Sequence, residues 1–233
     1  GENVSYSNWL QGGVVHASNV IGTVSRAFDS PLSGTVWVSL VMSSSWWNAA
    51  LSSGYPDSAN GCRFLINGNT ANAFGATASA VASKRRWLVV ENGTLTTNDI
   101  VAGSAAIQDH TVLLVARLRT DYSGSADDIT LWLFSTNMVY PNARTVAGLG
   151  PEVYTSSIAQ DLWGSSLDGI WLRLKSQNSA NRDFYVDSLR VSYGAALSDD
   201  DMVYEIMTGV AVPEPALFSV LGAGLVLAAR RRV

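Results

Sequence analysis

The sequence has few of the residues from which most active sites are built: one cysteine, two histidines and five glutamates among 233 residues. The single cysteine, Cys62, excludes an intramolecular disulfide and a cysteine-based metal cluster, and we expect it to be a small buried hydrophobic residue. His16 and His110 are expected in different strands, and neither a Gly-x-Ser-x-Gly elbow nor a P-loop is present. The sequence therefore predicts a protein that is not an enzyme and has no catalytic residues.

Charge is also scarce, at 15% of the residues, and the formal net charge is −4. The segment 212–233 holds one glutamate and three arginines, a net charge of +2, which leaves −6 on the rest of the chain. Nucleic acid is excluded as a partner because its binding needs a basic face. The hydrophobic content of 47% is enough for a core.

The abundant pattern is that of short β-strands separated by turns. The clearest is 35–42, a predicted central strand with Val36, Val38, Leu40 and Met42 on one face. Two hairpins are predicted with tight turns at Gly68-Asn69 and Asn92-Gly93. A longer antiparallel pair, 111–119 and 129–134, is predicted to be joined by a turn over 121–128.

The end of the β region has two further signals. The alternation in 183–194 fails unless a bulge lies near Asp187-Ser188. Three carboxylates at 199–201 then predict the start of a short helix, because they oppose the positive end of its dipole. We predict an all-β, antiparallel sandwich or jelly roll over 1–197, a short helix and linker over 198–211, and a separate C-terminal segment over 212–233.

Aspartates raise the question of calcium, which prefers clustered oxygen ligands. Asp121, Asp127 and Asp128 lie in one predicted turn, and Asp183 and Asp187 flank the last strand. None fits a known loop spacing, so we interpret those of the turn as solvated. We predict no metal site and no cofactor, with Ca²⁺ as a weak alternative.

Aromatic residues are the candidates for ligand binding. Trp46 and Trp47 follow a predicted strand, with Tyr55 in the same loop, and two interpretations stay open. The pair either fills the core and caps its edge, or offers a platform for a sugar ring. The remaining candidates, Trp132, Trp163 and Trp171, are not distinguished by the sequence.

The C-terminal segment has three parts in order: Val212-Pro213-Glu214-Pro215, an uncharged stretch over 216–229, and the cluster Arg230, Arg231 and Arg232. This order resembles the PEP-CTERM sorting signal of Gram-negative surface proteins. The resemblance implies that the membrane protease exosortase engages Pro213-Glu214-Pro215, that 216–229 enters the membrane before processing as a short hydrophobic helix, and that the arginines stay on its inner side. Fourteen residues make a helix of about 21 Å, against about 30 Å for a bilayer core.

Residues 27–39 and 185–191 are similar to strands of the concanavalin A/laminin G-like sandwich, often found ahead of PEP-CTERM tails. Glucanases of this architecture carry Glu-x-Asp-x-x-Glu on one strand, and no glutamate here has that spacing. The resemblances imply an exported protein that lies in the inner membrane as a precursor and then on the outer surface or in the extracellular matrix. An upstream leader is expected to have been removed or to lie outside this sequence.

Three functions stay open. The first is a non-enzymatic surface protein sorted by its C-terminal signal. The second is a lectin-like module that binds matrix polysaccharide, and the third is a self-assembling structural or filament subunit.

Overall fold

The computed structural model describes residues 15–18, 21–44, 61–78, 85–99, 111–123, 126–135, 143–156, 161–175 and 183–212. These residues form strands joined by turns, a 3₁₀ turn at Ala147–Leu149 and one α-helix, α1, at Asp199–Thr208. The strands, numbered β1 to β12 in chain order, are Val15–Ser18, Ile21–Leu32, Thr35–Ser44, Gly61–Ile66, Asn69–Ala78, Arg85–Glu91, Thr94–Asp99, Thr111–Ser123, Ala126–Ser135, Tyr154–Thr155, Leu167–Lys175 and Asp183–Tyr193.

The strands form two six-stranded sheets. Sheet 1 has the order β1-β12-β3-β8-β9-β10, and sheet 2 has the order β2-β11-β4-β5-β6-β7. The pairings are antiparallel. One hydrophobic core takes side chains from both sheets, so the sheets pack face to face. The predicted antiparallel sandwich is confirmed in these regions.

The core follows the alternation of the strands. Val36, Val38, Leu40 and Met42 of β3 point into it, and β3 lies between β12 and β8. The prediction of a central strand with this inward face is confirmed. Cys62 is buried in the same core as a free thiol, and burial raises its pKa to about 12, so it stays protonated at neutral pH.

The outer face of sheet 1 is covered by α1, which packs on β3 and β12. Met202, Val203 and Ile206 of the helix join Trp37 and Trp132 of the sheet in a second apolar cluster. Ser198 is the N-cap of the helix, and its side chain and that of Asp201 form a capping box. The predicted helix start is confirmed, while its burial of a second sheet face was not predicted.

Two hairpin turns have both central residues at positive φ, as type I′ turns require. The turn at Asn92-Gly93 (φ 48° and 78°) is confirmed. The other lies at Asn67-Gly68 (φ 50° and 70°), so the prediction of Gly68-Asn69 was wrong by one residue. In the first turn position, the Asn67 side chain donates to the Ser166 carbonyl of a neighbouring loop. The Asn69 side chain instead accepts from the Ala71 N–H.

The predicted turn over 121–128 is much shorter than expected. Strand β8 runs to Ser123 and β9 begins at Ala126, so Asp127 and Asp128 lie in a strand. The bulge in β12 is confirmed: Asp187 pairs with Val41 and Arg190 with Ser39, and Ser188 has a φ of 51°. Ser188 and Leu189 of β12 therefore lie opposite a single residue of β3, Leu40.

Several predicted features lie outside the described residues: Trp46, Trp47, Tyr55, Pro213-Glu214-Pro215, the stretch 216–229 and the cluster Arg230, Arg231 and Arg232. Of the motif around the prolines, the structure describes Val212. Within the described ranges, no helix combines the length and the apolar character needed to cross a bilayer.

Candidate functional site

Asp127 is the most buried carboxylate described, at 1% exposure. Its Oδ1 accepts from the Asp121 N–H at 3.0 Å, and its Oδ2 accepts from the N–H groups of Leu162 and Trp163 at 2.8 and 2.9 Å. Hydrogen bonds from backbone N–H groups to a carboxylate are stronger than those between neutral groups. Asp127 therefore fixes the loop 161–166 to sheet 1.

Two asparagines of sheet 2 hold the same loop from the other side. Asn67 donates to the Ser166 carbonyl at 2.9 Å and accepts from the Asp168 N–H at 2.8 Å. Asn72, 2% exposed, donates to the Leu162 carbonyl and accepts from the Asn92 N–H. Asp127, Asn67 and Asn72 thus join the two sheets through this loop.

Asp128 is paired as well, since both of its oxygens accept from the Arg119 guanidinium. The interpretation of the turn aspartates as solvated was wrong for Asp127 and Asp128, and Asp121 is exposed. Among the described residues, no three histidine, cysteine, aspartate or glutamate side chains group closely enough to hold a metal ion. The absence of a cofactor stays a prediction.

Glu91 forms a polar contact between the two sheets. Its carboxylate accepts from the Tyr154 hydroxyl at 2.8 Å and from the Ser156 hydroxyl, and Ser156 in turn accepts from the Ile129 N–H at 2.8 Å. Burial, followed by the hydrogen bond and the charge of Glu91, raises the pKa of Tyr154 well above its usual range. Tyr154 is therefore a neutral donor, and the arrangement stabilises the join between β6 and β10.

The tryptophans that the structure describes divide into two groups. Trp132 is 4% exposed and stacks on Trp37 with a centroid separation of 5.3 Å, and Trp163 packs against the main core. Trp171 instead lies half-buried on the outer face of sheet 2. Of the three aromatic residues that the sequence left undistinguished, Trp171 is the one presented on an outer sheet face.

The surroundings of Trp171 combine apolar and polar groups. Its ring lies over Gly68, where an added Cβ would be 3.4 Å from the ring atoms. In register beside it are the exposed Ser25 of β2 and the buried Leu65 of β4. Arg173, two residues along β11, shares this face and pairs with the exposed Thr23. We call Thr23, Ser25, Trp171 and Arg173 the Trp171 surface.

The Trp171 surface borders a third apolar cluster on the same face of sheet 2. Its members are at most 4% exposed, and the ring of Trp171 packs against them; they are Leu65, Ala73, Leu88 and Val90. The ring is therefore held in place while part of it stays open to solvent. The alternation in 169–175 shows that Trp171 and Arg173 share a face opposite Leu172, but it does not tell which face is the outer one.

No protein-family model and no curated protein matches the chain. Solved structures that resemble its fold include a glycoside hydrolase family 131 catalytic domain from Coprinopsis cinerea (13% identity, 70% of this chain, 58% of that one, TM-score 0.39). A second is lectin I-B4 from Griffonia simplicifolia (13% identity, 73% of this chain, 80% of that one, TM-score 0.41). A third is the LG4-5 pair of the mouse laminin α1 chain (13% identity, 78% of this chain, 39% of that one, TM-score 0.35). The chain thus spans little more than half of that hydrolase domain, and no residue role is transferred from these proteins.

Proposed function

We propose that this chain is an exported β-sandwich that binds a polysaccharide at the Trp171 surface without cleaving it. The observation that carries the proposal is the half-buried Trp171 ring on the outer face of sheet 2, with hydroxyl groups beside it. A flat aromatic face with flanking polar groups is the arrangement that pyranose rings use for stacking and hydrogen bonding.

The contacts of the ring support this function. Trp171 packs against the cluster that contains Leu65 and its ring lies over Gly68, so little side-chain entropy is expected to be lost when a sugar stacks on it. Ser25 and Thr23 lie on β2 at the margin of the sheet, where exposed hydroxyls can bond sugar hydroxyls.

Substituting Trp171→Ala is expected to weaken polysaccharide binding about tenfold, because an aromatic contact contributes about 1.5 kcal/mol. Affinity electrophoresis of the full chain through gels containing a neutral β-glucan or alginate measures this change. Trp171→Phe is the matched control, since it keeps a flat ring, and it should retain most of the binding.

Three results would contradict the proposal. They are unretarded migration of the unsubstituted chain, equal retardation of Trp171→Ala, and release of reducing sugar during the assay. Loss of binding in Trp46→Ala and Trp47→Ala but not in Trp171→Ala would place the site in the segment 45–60 instead and would also count against the Trp171 surface.

For delivery, we propose that the segment 212–233 acts as a PEP-CTERM-type signal processed by an exosortase-type protease. Val212 packs on the cluster beneath α1, and the Pro-Glu-Pro motif follows it directly in sequence. A processing signal between a domain and its membrane segment would have this position.

Replacing Glu214 and the three C-terminal arginines by alanine is expected to leave most of the precursor in the inner membrane, because the protease loses its motif and the membrane segment loses its basic stop. Cell fractionation with immunoblotting measures the distribution. Glu152→Ala, at an exposed glutamate of the sandwich, is the control and should be delivered normally. Unchanged surface delivery of the alanine variant would rule out the signal.

A further inference from the structure

The chain that follows α1 is bonded back to the helix at Val212. The Val212 N–H donates to Glu205 Oε1 at 2.7 Å, and the side chain of Val212 packs on the cluster beneath α1. The other oxygen of the same carboxylate, Oε2, accepts from the Ser192 hydroxyl of β12 at 2.5 Å. Glu205 therefore connects the helix, the sheet and the end of the described chain.

A second side chain holds the C-terminal end of α1 in place. Arg190 Nη1 donates to the carbonyls of Ile206 and Met207 at 3.0 and 2.8 Å, where helix carbonyls lack partners. Gly209, at a φ of 74°, lies so close that an added Cβ would be 3.2 Å from Arg190 Cζ. Arg190 and Glu205 thus fix the path of Gly209–Val212; we call these contacts the exit clasp.

The exit clasp lies very close in sequence to the proposed membrane segment. Residues 213–215 separate Val212 from the uncharged stretch 216–229. Even fully extended, the step from Val212 to Ala216 spans only about 14 Å. While the clasp is closed, a protease that acts on Pro213-Glu214-Pro215 therefore has almost no free chain to bind.

We propose that the exit clasp is an autoinhibitory contact: while Glu205 holds Val212 on the sandwich, proteases cannot engage the chain beside it, and processing requires the clasp to open. This inference concerns the regulation of the proposed sorting step and rests on that function for its biological meaning. The protection itself is a property of the isolated chain, because cleavage of an ordered segment needs local unfolding.

Limited proteolysis of the purified full chain with thermolysin tests the clasp, since this enzyme cleaves before Val212 when that residue is accessible; Val210 is exposed in the closed clasp, and cleavage before it is the internal reference. Glu205→Ala is expected to raise the initial cleavage rate before Val212 about tenfold, because the charged acceptor of the Val212 N–H is lost. Glu205→Gln is the matched control. Its amide oxygen still accepts from Val212, and we expect a rate within about threefold of the original.

A rise in Glu205→Ala that is confined to the bond before Val212 supports the clasp. Equal rates in all three proteins overturn it, and so does a rise that extends to sites within the strands, which would report general unfolding. The assay contains no exosortase, so it separates the clasp from the sorting signal. If Glu205 protects Val212 from thermolysin but the variant that lacks Glu214 and the three arginines is delivered normally, the clasp is supported and the sorting signal is contradicted.

Discussion

A chain that ends at Ser198 is expected to lose cooperative folding, whereas a chain that ends at Val212 keeps it. The shorter chain lacks α1, whose Met202, Val203 and Ile206 are at most 2% exposed. Burial of three such side chains contributes about 5 to 9 kcal/mol, which is comparable to the whole stability of a typical domain, about 5 to 15 kcal/mol.

Loss of the helix also exposes the sheet beneath it. Trp37 is fully buried in this cluster, and its indole N–H donates to Asp199 at 3.1 Å, while Arg117 lies over its ring. Ser39 would lose its bond to the Ile206 carbonyl. Without α1, the outer face of sheet 1 becomes an apolar surface of the kind that drives aggregation.

Urea unfolding followed by tryptophan fluorescence compares the two chains. The chain that ends at Val212 is the control, because it also lacks the C-terminal segment but keeps α1. A cooperative transition at the same midpoint for both chains would show that the sandwich over 1–197 is an independent unit and that α1 adds nothing to its stability.

Asp127→Asn is expected to destabilise the fold by about 3 to 5 kcal/mol although it changes almost no volume. The two carboxylate oxygens of Asp127 face backbone N–H groups, two at Oδ2 and one at Oδ1. An asparagine must place its NH₂ group on one of these sides. At least one buried N–H then faces another donor, in a site that is 1% exposed.

The matched control for Asp127→Asn is Asp161→Asn in the same loop. Asp161 is exposed and its Oδ1 accepts from the Gly164 N–H, so an asparagine oxygen can replace it. We expect a change within about 0.5 kcal/mol for the control. Thermal unfolding of both variants measures the difference, and equal midpoints would show that Asp127 does not fix the loop.

The sequence predicted the features that depend on local spacing. The alternation of Val36, Val38, Leu40 and Met42 identified an inward face because side chains of a strand point to opposite sides at every step. The bulge beside Ser188 followed from a break in the same period. Asn92-Gly93 identified a type I′ turn because both residue types tolerate positive φ.

Features that depend on distant partners were missed. Asp127 and Asp128 were interpreted as solvated because their neighbours in sequence are turn residues, but Leu162 and Trp163 supply the N–H groups that bury Asp127. No role was predicted for the second face of β3, where Trp37 lies. That face forms a core with α1, about 160 residues along the chain, and with Ala143 and Leu149.

The candidate surface was also beyond the sequence. Trp132 and Trp171 both lie in alternating strands, and each could face inward or outward. Trp132 is buried in the cluster that α1 forms with Ala143 and Leu149, and Trp171 lies half-buried on the outer face of sheet 2. Such choices are made by tertiary packing and not by strand period.

The placement of α1 also gives the sandwich two unlike sides. The chain leaves from the outer face of sheet 1, where Val212 is bonded, while Trp171 lies on the outer face of sheet 2. The outer faces of two packed sheets point in opposite directions. A domain tethered through Val212 would therefore turn Trp171 away from its attachment surface, so that one molecule could bridge a membrane and a polymer without competition between them.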